Sequence, residues 1–269
     1  MKHIFPIILL FLSLPFFSQA QDSNFVLLRS YEGDIADAAM DHLGNLYVVT
    51  SSGQVRKYNA SGDSLAVYNQ VRNYGKLTTL DVSNPLKPLL FYKDFSSIVV
   101  LDRFLASLST IDLRRYAILQ PVAIGPSYDD NIWVFDEYDN KLKKIDQQGN
   151  HLLETADLRT VFDGGIRPVK IIDDNGLVYL ADTASGIFVF DSYGSFKKKI
   201  PLLHWQSIAI SRNQVTGSYG EKIVVFNTST FIQQERKAPV FTPYVHSFIS
   251  GEKFIRFSSG RLQIFQIHY

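Results

Sequence analysis

Six times along the chain a polar or Gly-containing turn introduces a short apolar strand, then a second polar turn and a further strand. Phe, Tyr or Trp and Val or Ile recur at matching offsets. The clearest copies are GNLYVVTSSGQVRKYNASGD (44–63), DNIWVFDEYDNKLKKIDQQGN (130–150) and NGLVYLADTASGIFVFDSYGS (175–195). Weaker ones begin at Lys87, Arg212 and Glu252. A period of roughly 40 residues with strand signals and no helical ones is the mark of a propeller blade. The expected fold is all-β, a six-bladed β-propeller.

Each blade needs four antiparallel strands running outward from a central channel. In the second blade they are placed at Leu77–Val82, Pro88–Tyr92, Ser97–Leu101 and Leu105–Ile111. In the fourth they are placed at Pro168–Ile172, Leu177–Ala181, Gly186–Phe190 and Ser195–Ile200. Ile187 and Val189 alternate with Phe188 and Phe190, as expected of a strand packed on both faces by neighbouring blades. The last copy runs out of chain after its third strand, whereas Phe25–Ser30 precedes the first copy with no other use. Borrowed as the outer strand of the last blade, that N-terminal strand closes the ring and removes an open edge.

Residues 1–20 have the order of a secretory signal peptide. Lys2 and His3 precede the apolar run Ile4–Phe17, and Ser18-Gln19-Ala20 supplies a small-x-small cleavage site. The run is shorter than the about 20 residues a membrane-spanning helix needs. The expectation is export and a single domain over 21–269, with no membrane span after cleavage. Cysteine is absent, which excludes both disulfides and a lipid-modified cysteine and tilts the reading toward a bacterial periplasm or cell surface. Lys and Arg number 27 against 26 Asp and Glu, and loss of Lys2 makes the two equal. Neutrality argues against nucleic acid as a partner. The basic groups Lys197–Lys199 and Lys141, Lys143, Lys144 read as solvated or edge-protecting faces.

In NIWVFDEYDNKLKKIDQQG and GLVYLADTASGIFVFDSYG, a strand ending in Asp136 or Asp182 is followed by one ending in Asp146 or Asp191 before a Gly turn. This pattern resembles the NHL-type repeats of six-bladed propellers. The segment DVSNPLKPLLFYKDFSSIVVLDRFL is also similar to secreted propellers of the Bacteroidota. The first blade departs from the pattern, with Thr50 and Asn59 at those places. These aspartates read first as turn formers, whose carboxylates accept backbone N–H bonds.

A channel-metal hydrolase or lyase of the lactonase-like kind is the rival class and needs convergent oxygen ligands. Asp37, Asp81, Asp129 and Asp173 lie near innermost strands, but Asp81 and Asp173 precede turn residues and read as turn formers. The histidines are scattered singly, and no Gly-x-Ser-x-Gly turn is present. No catalytic residue, metal site or cofactor is expected. Gly164-Gly165 lacks the strand-to-helix setting of a phosphate cradle. Asn59-Ala60-Ser61 and Asn227-Thr228-Ser229 match the glycosylation pattern and read as chance matches.

There remains the face made from loops entering the innermost strands and those joining second to third strands. Tyr31, Tyr74, Tyr128, Arg167, His204, Trp205, Tyr244 and His246 are assigned there, Trp205 with an alternative place in the core. Aromatics and Arg held in loops carry interface energy. The expected function is a monomeric, non-catalytic binding or assembly module for a protein, peptide or glycan of the cell envelope.

Overall fold

In the computed structural model the described residues are 25–69, 74–219, 222–237 and 246–268; the signal segment and Tyr244 lie outside them. The first strand, β1 (Phe25–Glu32), stands apart from the blade that follows it. The first blade is β2 (Asp37–Met40), β3 (Leu46–Val49), β4 (Val55–Tyr58) and β5 (Ser64–Tyr68). The second is β6 (Thr79–Asp81), β7 (Leu89–Tyr92), β8 (Ser97–Leu101) and β9 (Ser107–Asp112). The third is β10 (Pro121–Pro126), β11 (Ile132–Asp136), β12 (Lys141–Ile145) and β13 (His151–Glu154). The fourth is β14 (Lys170–Asp174), β15 (Leu177–Asp182), β16 (Gly186–Asp191) and β17 (Phe196–Ile200). The fifth is β18 (Ser207–Ser211), β19 (Gln214–Tyr219), β20 (Lys222–Asn227) and β21 (Gln233–Lys237). The last blade is β22 (His246–Ser250), β23 (Lys253–Phe257) and β24 (Arg261–Ile267), completed by β1 in the order β1-β24-β23-β22.

Ring closure is therefore as expected, and the closing strand is longer than Phe25–Ser30. β1 pairs antiparallel with β24 from Phe25 opposite Ile267 to Glu32 opposite Arg261, with an irregularity between Leu27 and Arg29. The chain then passes to the first blade under two backbone bonds, Gly33 N to Gly260 O and Ile35 N to Ser259 O, each 3.1 Å.

Among the described residues the core forms six apolar clusters, one in each seam between blades. Period-two alternation explains this, because successive side chains of a strand go to opposite seams. On β11, Ile132 and Val134 pack toward the second blade with Leu89, Phe91 and Val100. Trp133 and Phe135 pack toward the fourth with Ile171, Val178 and Phe188. On β16, Phe188 and Phe190 face the third blade while Ile187 and Val189 face the fifth, with Ile208 and Val215. Middle strands such as β7, β8 and β11 are buried at every position. At about 25 cal/mol per Å² of apolar surface, such burial is the main stabilising term of the fold.

Turns are fixed by short polar side chains. Asp41, Asp102, Asp146 and Asp191 each accept the N–H groups two and four residues ahead, at 2.8–3.0 Å, through one carboxylate oxygen. Gly149 and Gly194 supply the left-handed residue inside two of these loops, and Leu105 takes that conformation at φ 62° in the second blade. Asp136 and Asp182 likewise accept backbone N–H groups, from Leu119, Gln120 and Tyr138 and from Arg167, Ala184 and Ser185. Asn59 and Asn227 of the glycosylation-like triplets are turn formers too, bonded to Asp63 N and to Ser229 N and Thr230 N.

Two expectations are corrected. Lys143 and Lys144 are not solvated: both are buried on β12, the third strand, not an edge. Lys143 Nζ lies 2.8 Å from Asp136 and 2.7 Å from Asp139, and Lys144 Nζ is 2.5 Å from Asp129 and over the Trp133 ring. Desolvation alone would lower the Lys143 pKa, but the bonds to Asp136 and Asp139 outweigh it and raise it. Asp173 is likewise no turn former. Its Oδ2 accepts Ser127 Oγ at 3.0 Å, Tyr128 N at 3.3 Å and Trp133 Nε1 at 2.9 Å, all from the preceding blade.

Candidate binding site at the channel mouth

The innermost strands β2, β6, β10, β14, β18 and β22 each pair on one side only, so their free edges surround the axis. They enclose a cavity of about 1280 Å³ that opens to solvent. The upper face carries the loops that enter these strands and the turns between second and third strands. The lower face carries the remaining turns.

At the upper mouth stand the first residues of three inner strands, Asp37, Lys170 and His246, and deeper on β6 stands Asp81. Asp37 accepts its neighbour's N–H, Ala38 N to Oδ1 at 2.8 Å. Desolvation raises its carboxyl pKa despite that bond and the attraction of His246 and Lys170. Asp81 does behave as a turn former, accepting Ser83 N at 2.9 Å. The His246 ring stacks on Phe257, centroids 5.3 Å apart at 23°. Lys170 is solvent-accessible yet surrounded by protein on every side, because its solvent is the channel's. Its Nζ donates to Ile208 O on β18 at 3.2 Å, and the enclosure lowers its pKa against the pull of Asp81 and Asp37. Among the described residues no three His, Asp or Glu side chains are grouped as a metal site would require.

The loop residues singled out in the sequence are dispersed around this mouth. Trp205 and His246 line the cavity. Trp205 is also a seam residue, packed with Val189, Ile208 and Val215, so its alternative place in the core is realised at the same time. Arg167 and His204 converge on the turn after β15: Asp182 accepts Arg167 N at 3.0 Å and Thr183 O accepts His204 N at 2.6 Å. The Arg167 side chain is open to solvent with one long contact, 3.5 Å, to Glu137. Tyr74 is half-buried against Tyr92, with its hydroxyl bonded to Thr110, and serves the seam more than the surface. Tyr31 is likewise half-buried, packed against the seam between the last and first blades with its ring near Tyr58. Tyr128 belongs to the lower face, since it lies in the turn leaving β10, and its ring sits beside Lys144. The sequence reading missed Lys170. Its signal is a charge at the head of an inner strand, before the apolar pair Ile171-Ile172 and separated by one residue from the Arg167-Pro168 loop.

These features define a six-bladed β-propeller with an open, polar, charge-lined channel. No family model matches the sequence, and neither does any curated protein. Among solved structures it is similar to the Neurospora crassa Pan2 WD40 domain, with a TM-score of 0.65 at 11% identity over 93% of this chain and 97% of that one. It is also similar to a streptogramin B lyase, with a TM-score of 0.60 at 14% identity over 91% and 88% of the two chains. Virginiamycin B lyase from Staphylococcus aureus gives 0.58 at 13% identity over 91% and 100%. At such identities the likeness is one of fold.

Proposed function

We propose that the protein is an exported, monomeric, non-catalytic binding module whose upper face and channel mouth receive a protein, peptide or glycan of a bacterial envelope. The repeats of its third and fourth blades are taken to be of NHL type, and its second-blade segment to be like that of secreted propellers of the Bacteroidota. The observation that carries the reading is the cavity itself. Its volume suits a short chain segment or a sugar, and its walls offer unpaired strand edges, Trp205, His246 and both signs of charge. The walls are strands packed on both sides, so little backbone movement is needed on binding.

The purified protein, applied to arrays of defined peptides and glycans, is expected to retain a restricted set. Trp205→Phe keeps an aromatic ring in the seam at some cost in packing, and His246→Ala opens the rim; both are expected to weaken retention while leaving the protein folded. A blank array, or ligands indifferent to both changes, would count against the reading. Export is tested separately: the protein recovered from an envelope fraction is expected to begin at Gln21.

A further inference from the structure

Among the described residues the fold buries three lysines, and each is held by partners. Lys143 and Lys144 are fixed in ion pairs, and Lys57 Nζ donates to Arg103 O at 2.8 Å with the Tyr47 ring beneath it. Lys170 is different. It projects into a solvent-filled channel, has a single long hydrogen bond to Ile208 O, and among the described residues has no carboxylate within ion-pair distance.

We propose that Lys170 is a carbonyl-capturing amine, which forms a reversible imine with small neutral aldehydes, open-chain hydroxyaldehydes foremost, that enter the channel. An amine reacts only when neutral, and an ammonium locked in an ion pair is not available. Lys170 has space in front of it and nothing that locks its proton. Desolvation inside the channel also disfavours its charged form.

The step balances without an oxidant or reductant. The Nζ lone pair attacks the carbonyl carbon and forms the C–N bond, and the carbonyl oxygen takes a proton to give a carbinolamine. That oxygen then leaves as water, nitrogen loses its proton and the imine forms; hydrolysis reverses each step. Asp37 is the mouth group suited to pass protons, because desolvation raises its carboxyl pKa above the ordinary aspartate value.

Charge selects the ligand. The groups facing Lys170 are Asp37 from β2, Asp81 from β6 and, beside Asp37, His246 from β22. β10 and β18 carry no ionisable side chain. Two carboxylates around the amine repel a keto acid, whereas a neutral hydroxyaldehyde can hydrogen-bond to the free strand edges.

The test is reductive trapping on the intact protein. Glycolaldehyde or glyoxylate is added with cyanoborohydride near neutral pH, and modified lysines are quantified by peptide mass. Lys170 is expected to be labelled by glycolaldehyde several-fold faster than the exposed Lys76 and Lys93. Glyoxylate is expected to label Lys170 more slowly than glycolaldehyde, and Lys170→Arg to remove the labelled peptide with an unchanged melt. Labelling of Lys170 no faster than Lys76 and Lys93 would overturn the proposal, and faster labelling by glyoxylate would overturn its ligand class.

Discussion

The indole N–H of Trp133 on β11 donates to Asp173 Oδ2 on β14 at 2.9 Å, across the seam between the third and fourth blades. Trp133 is fully buried and its ring is covered on the other side by Lys144. A single carboxylate oxygen thus anchors an indole, a hydroxyl and a backbone amide of the neighbouring blade.

Asp173→Ala strands the buried indole N–H, a cost of about 1–3 kcal/mol before its other two donors are counted. Trp133→Phe removes the donor instead. In a double-mutant cycle followed by urea unfolding, the pair is expected to be non-additive by about 0.5–3 kcal/mol, as directly bonded residues are. Additive effects would mean that the bond carries no weight in the seam.

Asp136 holds the buried Lys143 and three backbone N–H groups. Asp136→Ala leaves that ammonium with Asp139 alone, and removal of one member of a buried pair typically costs about 3–5 kcal/mol. The double variant Asp136→Ala, Lys143→Met is expected to recover part of this loss, because the fully buried ammonium is gone, but not all of it, because the part-buried Asp139 then loses its ion-pair partner. Equal melting temperatures for the single and double variants would refute that account.

Glycines at two positions separate packing from backbone strain. On β10, a Cβ at Gly125 would lie 2.6 Å from the backbone oxygen of Ile171 in the next blade, so Gly125→Ala is expected to cost about 1–3 kcal/mol by overpacking. Gly176 has open space around it and φ of 77°, so Gly176→Ala is charged only with left-handed strain, about 1–2 kcal/mol. The distinguishing measurement is a structure of each variant: Gly125→Ala should widen the seam, and Gly176→Ala should leave it alone.

Alkali should unfold the protein cooperatively. Burial raises the phenol pKa of Tyr47, Tyr68, Tyr92, Tyr179 and Tyr219, with Asp41 adding to the effect at Tyr47. A raised folded value means that the stability is fully present below the unfolded value of 10.0 and is lost progressively as pH rises from there through the raised folded value, since the unfolded chain ionises first. Lys143, also raised, has the same sign. The phenolate absorbance of these residues is therefore expected to appear together with loss of the β-sheet signal, and gradual titration in a folded chain would contradict it.

Much of the architecture was legible because it is local. Asp146-Gln147-Gln148-Gly149 and Asp191-Ser192-Tyr193-Gly194 state their turns within four residues, and the alternation of β16 states both of its seams. Contacts between blades were not legible. Asp173 precedes an Asp-Asn-Gly turn and reads as part of it, while its true partners lie some 40 residues earlier. Lys143 and Lys144 resemble a solvated basic run because their acidic partners are set by strand register and by turns, not by adjacency. Tyr128 reads as an upper-face residue but lies on the lower face for a related reason: whether a loop enters or leaves an innermost strand reverses its side of the ring.

Closure of the ring rests on β1, whose buried anchor is Phe25, 5.8 Å from Phe254 in an edge-on contact and only 3% exposed. Phe25→Ala is expected to cost about 3–5 kcal/mol, as other buried Phe truncations do. Deletion of residues 25–32 removes that burial and also leaves β24 with an unpaired edge, so the loss should be larger and the variant prone to self-association. A synthetic peptide of sequence FVLLRSYE is expected to restore the urea midpoint of the truncated chain in a concentration-dependent way, because it binds the folded ring and not the unfolded chain. The same peptide with Phe25 replaced by Ala should restore less. A truncated protein that unfolds at the intact midpoint, with no response to peptide, would show that the last blade is stable with three strands and that β1 only covers it.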